Sequence, residues 1–512
     1  VMRLIAIKVA ALALCSSLVL TAVGCQQTQV EFTATAEPQL PVFDALAGAP
    51  EVTALQYHPL QAATQVTLAN EQTSPLAIYL FNDTPSKLHH LSLVAYSVEP
   101  MINLDVLVNA FSEKKHWLVQ QIPLSCAESL RIRPTMHSLT LSIDCPDSPL
   151  IATELLMQFW QNDGLAEIDI AKVRRQLKLG KHINAYSGAE IDDVWAQKIL
   201  GERHIYNQAL DDKTLADELD LAKLNKVRDS IFAQSQWAFF ADKRLEQDVD
   251  FSANVIKQFS SITNVPRLSS TANSSSKNAL STQSSDRKTA FVEPSNTNKI
   301  LYLIDAPGSV QTQVRIGYPL SQPTDHNGDK DSKLDAIQNC KLLASWLGRS
   351  FSGRLYYDLR EVRGLTYGIY GRCFDNPLSL TLKFYGSTKL EHTGAFIDGV
   401  LDHLALATET PISTTELSAL TTYLTSQKIL RQSNYRALEL DTIKLLIRGD
   451  SSQQEQREAS RLANLTPKQL QRIASSVFNN VPYIVIRGDA DKISADINNK
   501  LPDWNIVEAL AN

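Results

Sequence analysis

Cysteine is scarce in this chain, with six in 512 residues, and no two of them stand in a Cys-x-x-Cys pair. Thiolate zinc sites use that spacing, so the sequence offers none. Gly-x-Ser-x-Gly, a phosphate-cradling Gly-rich loop and a dinucleotide fingerprint are missing as well, and with them the sequence-readable signs of acyl-serine, nucleotide and hydride chemistry. The nearest phrase, Gly348-Arg349-Ser350-Phe351-Ser352-Gly353, has its glycines five apart with no following lysine, and reads as a turn between helices. Charge of one sign is not in excess. Against 55 acidic residues stand 49 basic ones, a formal net charge of −6, and no basic patch with interleaved aromatics occurs. Nothing here suggests a nucleic-acid partner.

Histidine is sparse and scattered. The ten are His58, His89, His90, His116, His137, His182, His204, His326, His392 and His403, and no His-Glu-x-x-His occurs among them. His89 and His90 are adjacent, which on a strand sends their rings to opposite faces and rules out a shared metal. Asp325, Asn327 and Asp329 alternate as the first ligands of a calcium loop would. Lys330 and Ala336, however, stand where that loop needs Gly and Glu, so a solvated loop is expected.

The composition, 44% hydrophobic and 20% charged, is that of a globular protein, and the length implies two to four domains. At the N-terminus Arg3 and Lys8 precede an uncharged apolar run, Val9 to Val23, that leads into Ala22-Val23-Gly24-Cys25. This pattern predicts a secretory signal over residues 1–24. Its end resembles a bacterial lipobox, which implies an acylated Cys25 as first mature residue, anchored in the cell envelope and facing the periplasm. Gln26 rather than Asp after the cysteine resembles the sorting pattern of outer-membrane lipoproteins, which implies that membrane. An ordinary cleaved signal or an uncleaved anchor are the alternatives. Setting aside Cys15 and Cys25, Cys126, Cys145, Cys340 and Cys373 remain, enough for two bridges in an oxidising compartment or simply four small buried residues; their pairing is open.

From 25 to 50 the chain is rich in Thr, Ala, Gln and Pro and reads as a flexible tether. Ala54–Tyr57, Gln65–Ala69, Leu76–Phe81 and Leu91–Ser97 read as strands. The interval 263–298 is dominated by Ser, Thr and Asn and reads as a linker dividing the chain into halves at 51–262 and 299–512. The halves echo each other. Ser138–Ile143 answers Ser379–Phe384, the helical pattern 221–232 answers 465–478, and the strands Trp237–Phe240 and Tyr483–Ile486 follow those helices. The fold class expected is α+β, two related helix-covered sheets joined by a linker.

One stretch concentrates chemistry. In Arg354–Gly368, Leu355, Leu359 and Val362 recur at helical spacing, Ser352 can cap the start, and Gly364 sits where a left-handed terminator belongs. Beyond it Leu365, Tyr367 and Ile369 alternate with Thr366, Gly368 and Tyr370 as in a strand. Arg360 therefore leaves a helix end just before Tyr367 enters a strand, and the two can donate hydrogen bonds to one carbonyl oxygen or carboxylate. The plainer alternative is an arginine complementing the helix dipole and a tyrosine packed on a sheet.

The run Gly348–Leu355, with Leu359-Arg360-Glu361 and Gly364-Leu365-Thr366-Tyr367, resembles the second half of insulinase-like (pitrilysin) metallopeptidases. Leu301–Gln311 resembles the strand and turn that open that half, and the likeness runs to about Asp489. The resemblance implies a clam shell that admits a peptide, with Arg360 and Tyr367 as the substrate-binding pair. It also implies a first half bearing His-x-x-Glu-His and a downstream Glu around zinc. The His-x-x-Glu-His motif is missing here. Where that helix is expected, Met101–Phe111 has no imidazole. The expectation is thus a chain with no zinc of its own, similar to the non-catalytic members of family heterodimers such as the mitochondrial processing peptidase alpha-like chains. A zinc-bearing paralogue would be its partner, and a peptide its substrate. The alternative is a peptide-binding pseudoenzyme or scaffold lipoprotein; a third reading, an active peptidase whose metal site escapes the pattern, predicts bound zinc.

Overall fold

The computed structural model describes residues 64–65, 76–81, 87–121, 126–146, 149–161, 165–187, 190–208, 215–247, 250–263, 297–320, 330–432, 434–448 and 453–509. The signal, Cys25, the tether, the strand expected at Ala54–Tyr57, the Asp325–Asp329 loop and nearly all of the Ser/Thr/Asn-rich interval lie outside them.

Thr64–Gln65 (β1), Leu76–Phe81 (β2), His89–Tyr96 (β3), Arg131–Thr135 (β4), Ser138–Cys145 (β5) and Gln236–Asp242 (β6) form one sheet in the order β1-β2-β6-β3-β5-β4. Ile300–Asp305 (β7), Gln311–Pro319 (β8), Thr366–Asn376 (β9), Ser379–Lys389 (β10), Tyr483–Gly488 (β11) and Asn505–Glu508 (β12) form a second, in the order β12-β7-β11-β8-β10-β9. The paths match strand for strand. β2 runs parallel to β6 as β7 does to β11. The antiparallel series β6-β3-β5-β4 then repeats as β11-β8-β10-β9. The segments matched in the sequence fall on equivalent strands, β5 with β10 and β6 with β11. The halves are α+β repeats of one mostly antiparallel design. They differ at the first edge, where β1 is antiparallel to β2 and β12 parallel to β7.

Each sheet packs one face on its own half's helices. In β3, Leu91, Leu93 and Ala95 meet Phe111 and Leu156 in the first core, while β8 sends Val314 and Ile316 into the second core with Leu343 and Phe396. The other face is covered from across the chain. Leu438, Ile443 and Ile447 of the Tyr435–Arg448 helix close over Tyr79, Val94, Tyr96 and Phe240 of the first sheet. Ile191, Val194, Trp195 and Ile199 of the Glu190–Leu200 helix close over Ile304, Tyr483 and Val485 of the second. This is why β3 is apolar at consecutive positions instead of alternating: both its faces are buried.

The cysteines pair within halves, Cys126 with Cys145 and Cys340 with Cys373, at Cα separations of 5.1 and 5.6 Å. The helix expected at Met101–Phe111 runs from Leu104 to Gln121 and so does contain an imidazole, His116. Apolar spacing marked its first turns only, because its later turns carry Glu113, Lys114 and Lys115.

Candidate functional site

The site begins at the turn Gly348–Gly353. Ser352 is not the cap the sequence suggests: its hydroxyl accepts from Arg349 Nε at 2.7 Å, and the helix starts after Gly353 with no side-chain cap. Anchorage comes from Arg354 instead. Its guanidinium forks onto Glu416 at 2.8 Å and 2.8 Å and lies over the Trp346 ring, whose indole N–H donates to the same carboxylate at 2.9 Å.

From Tyr357 to Val362 the backbone widens into a π-helix, in which the Arg363 N–H reaches back five residues to the Asp358 carbonyl at 2.8 Å. The extra residue in the turn rotates the positions after it. Leu355 and Leu359 are fully buried, but Val362, which regular helical spacing would place beside them, is exposed. Such π-turns cluster at functional positions. Asp358 pins this one, bonding to His403 Nε2 and to Arg363, each at 2.8 Å. Desolvation pushes its carboxyl up, and these two partners more than offset that, holding it below its ordinary value. Gly364, at φ 66°, ends the helix with its N–H on the Arg360 carbonyl at 3.2 Å.

The strand beyond Gly364 does not keep simple alternation. Gly386 pairs with Ile369 and Thr388 with Thr366, so Ser387 alone faces both Tyr367 and Gly368 in a β-bulge. The Thr366 hydroxyl bridges it, donating to the Ser387 carbonyl at 2.5 Å or the Gly368 carbonyl at 3.0 Å and accepting from the Gly368 N–H at 3.1 Å. Strict alternation would set Tyr367 on the buried face with Ile369. The bulge turns it out instead: Tyr367 is 84% exposed against 1% for Ile369.

Tyr367 stands on the wall of a groove of about 910 Å³ on the outer face of the second sheet, together with Tyr370, Tyr385, Gln311, Gln313, Ser309, Arg315, Arg487 and, from the first half, Asp192. Asp192 accepts from Arg315 at 2.8 and 3.1 Å and from Lys383 at 2.8 Å. Burial raises the Asp192 carboxyl, but the two cations outweigh it and keep it low.

Arg360 is not among the groove's walls. Its guanidinium stacks on the ring of the buried Tyr356 at 4.9 Å and its Nε lies 3.5 Å from Glu361. Among the described residues no hydrogen bond joins Arg360 to Tyr367. From Tyr356 a series of rings runs to the groove wall, Tyr356 to Tyr370 at 6.4 Å and Tyr370 to Tyr385 at 5.7 Å. The sequence pattern points to Tyr367 but not to Arg315, Tyr385 or Arg487. Their alternation with core residues Val314, Phe384 and Ile486 was a usable signal for facing, though not for meeting in one place.

The β9–β10 hairpin that carries these tyrosines is held at its tip by the first half. The Leu378 N–H donates to Tyr206 Oη at 3.0 Å, and Tyr206 in turn pairs with His137 Nε2 at 2.7 Å. From its own half, Arg448 donates to the Asp375 carbonyl at 2.6 Å.

A zinc site does not fit the residues described. On the Leu104–Gln121 helix His116 has only Gln120 beside it, at 3.4 Å, while Glu113 is taken by Lys172 at 2.6 Å. No group of three or more His, Cys, Asp or Glu that could hold a metal occurs among the described residues.

Comparison with known proteins agrees with this picture. Residues 251–424 match the family model described as the peptidase M16 inactive domain. A Pseudomonas fluorescens structure titled peptidase M16 inactive domain superposes with a TM-score of 0.62 at 15% identity, over 83% of this chain and 98% of that one. The first half of the periplasmic protease PqqL from Escherichia coli gives 0.57 at 12% identity, over 89% and 100%. Against the structure titled as the periplasmic protease PqqL the TM-score is 0.56 at 12% identity, and 89% of this chain covers 52% of that one, so this chain spans about half of it. No curated protein matches. The insulinase-like resemblance agrees with these likenesses in fold, and over residues 251–424 the matching model is that of an inactive domain.

Proposed function

We propose that this insulinase-like chain, carrying an inactive peptidase domain, is the substrate-holding and non-zinc subunit of a periplasmic metallopeptidase that degrades or processes peptides. One observation carries the reading: Tyr367 is turned out over a groove by a dedicated bulge, with its hydroxyl unpartnered among the described residues. A tyrosine kept for packing would be buried.

In the assembled chamber the Tyr367 hydroxyl donates to the oxygen that becomes negative as a peptide carbonyl is attacked, and Arg360 binds a neighbouring carbonyl or the substrate's C-terminal carboxylate. A zinc-bearing paralogue supplies metal, water and general base. Support for such a partner comes from PqqL, whose chain is about twice the length matched here. The acylated Cys25 holds the chain to the envelope, with the outer membrane favoured.

Affinity purification of the tagged chain from its native envelope tests this. The expected co-purifying protein bears His-x-x-Glu-His, and Tyr367→Phe lowers turnover of the complex by roughly 10²-fold, the usual loss for one oxyanion donor, with assembly intact. Unchanged turnover removes the role given to Tyr367. The stacking of Arg360 on Tyr356, away from the groove, favours a second reading, a peptide-binding pseudoenzyme or scaffold. That reading predicts a chain that elutes alone and still binds peptides.

A further inference from the structure

Arg487 and Arg315 lie on the same groove wall but are spent differently. Arg315 is committed. Its Nε and Nη2 fork onto Asp192, and its Nη1 donates to the Val314 carbonyl at 3.2 Å. Arg487 gives only its Nε, to Glu190 Oε2 at 3.0 Å. Its two terminal nitrogens make no hydrogen bond among the described residues, although only 20% of its side chain is exposed. A largely desolvated guanidinium with its outer fork free is an unfilled acceptor site. On the same wall the Ser309 hydroxyl is buried without a partner. Tyr367, Tyr370 and Tyr385 supply apolar surface alongside.

We propose that Arg487 is the carboxylate anchor of the groove: its free fork takes a carboxylate of a bound peptide, and the three tyrosines pack the adjoining residue. This rests on the peptide-holding reading above and names the ligand chemistry of that site. It moves the carboxylate contact from Arg360, which stacks outside the groove, to a residue 127 positions later in the sequence. Glu190 does not fill the site, because one carboxylate on Nε leaves the Nη1–Nη2 edge open to a second. The carboxylate can belong to an acidic side chain or to the peptide's C-terminus.

Three unstructured peptides of one apolar and aromatic sequence, each carrying the same uncharged boron-dipyrromethene fluorophore, separate these cases, read by anisotropy against the full chain. One has an internal Glu and an amidated end, one has Gln and a free C-terminal carboxylate, and one has Gln and an amidated end. One acidic peptide is expected to bind roughly tenfold tighter than the neutral one, the gain for one charge-assisted contact. Which of the two does so identifies the source. Arg487→Gln abolishes the preference without lowering affinity for the neutral peptide, and Arg487→Lys, which keeps charge but loses the fork, restores it in part. Melting temperatures of both variants, and their retained binding of the neutral peptide, separate lost recognition from lost folding. Equal binding of all three peptides to the unmodified chain overturns the anchor while leaving the peptide-holding function standing. A preference that survives in Arg487→Gln overturns it too. Binding of none overturns both.

Discussion

The two helices that cross between the halves do the same job with different results. The Tyr435–Arg448 helix has 14 residues, a length of about 21 Å, and the Glu190–Leu200 helix has 11, about 16 Å. The longer one seals the first sheet. Its Glu439 is fully buried and accepts from His90, Ser92 and Arg133, each at 2.7 Å. His90 reaches on to Asp144 at 2.8 Å, and Tyr435 and Arg436 also donate to Asp144. The shorter one covers the second sheet at the level of Gly317, against which Trp195 packs, and its first turn reaches only the rim of the groove, where Asp192 bonds Arg315 and Glu190 bonds Arg487. Its Asp192 stays 42% exposed at the rim of what is left open. The same device therefore produces a closed face in one half and a groove in the other, which accounts for the site lying in the second half. What separates a sealed face from a usable one is the length of one helix and the burial of one carboxylate.

The largest expected effect tests the sealed side. Glu439→Ala leaves the buried His90 and the partly buried Arg133 without their shared acceptor and should cost about 3–5 kcal/mol in chemical denaturation, the usual penalty for breaking a buried charged cluster. A loss below about 1 kcal/mol would end the distinction between the two helices. The same cluster sets a pH dependence. Burial lowers the His90 imidazole, but its bonds to Asp144 and Glu439 prevail and raise it above its ordinary value of 6.5. The stability it contributes is fully present below about pH 6.5 and is lost as pH rises through the higher folded value. The carboxylates act oppositely. Asp144, lowered to about 2, contributes above its unfolded value and loses that contribution as pH falls towards 2. Denaturation midpoints between pH 5 and 9 should decline on the alkaline side, and His90→Gln should flatten that decline; an unchanged slope assigns it elsewhere.

Smaller effects belong to the open side. Thr366→Val removes the hydroxyl that bridges the bulge, for about 1 kcal/mol of stability, and its larger signature should be weaker peptide binding as Tyr367 loses its fixed orientation. Stability falling with binding untouched would show that the bulge does not aim Tyr367. Asp192→Asn, at a half-exposed rim, should cost only about 0.2–1 kcal/mol. A loss equal to that of Glu439→Ala would mean the rim is as sealed as the face opposite.

Much of the architecture was legible because apolar period repeats within short windows. β5 and β10, β6 and β11, and the helices ahead of β6 and β11 announce themselves by alternation or by 3.6-residue spacing. The junction between Arg360 and Tyr367 was legible for the same reason, as was the left-handed Gly364. What stayed hidden depends on partners far away in sequence. The bulge that turns Tyr367 outward exists only in relation to Ser387 on the next strand. The π-turn that exposes Val362 is fixed by Asp358 meeting His403, 45 residues on. Arg487 faces Glu190 across 297 positions, and no window of sequence brings those two together.

The exchange of helices also makes the two halves mutually dependent as folding units. Neither sheet has its outer face finished by its own segment of chain, so each half alone would present Phe240 or Val485 and their neighbours to water. Because one chain carries both halves, what would be an encounter between two fragments becomes an intramolecular event at high effective concentration. A polypeptide severed between the halves would be a complementation pair: two pieces, each with one apolar sheet face uncovered until the other's helix closes it.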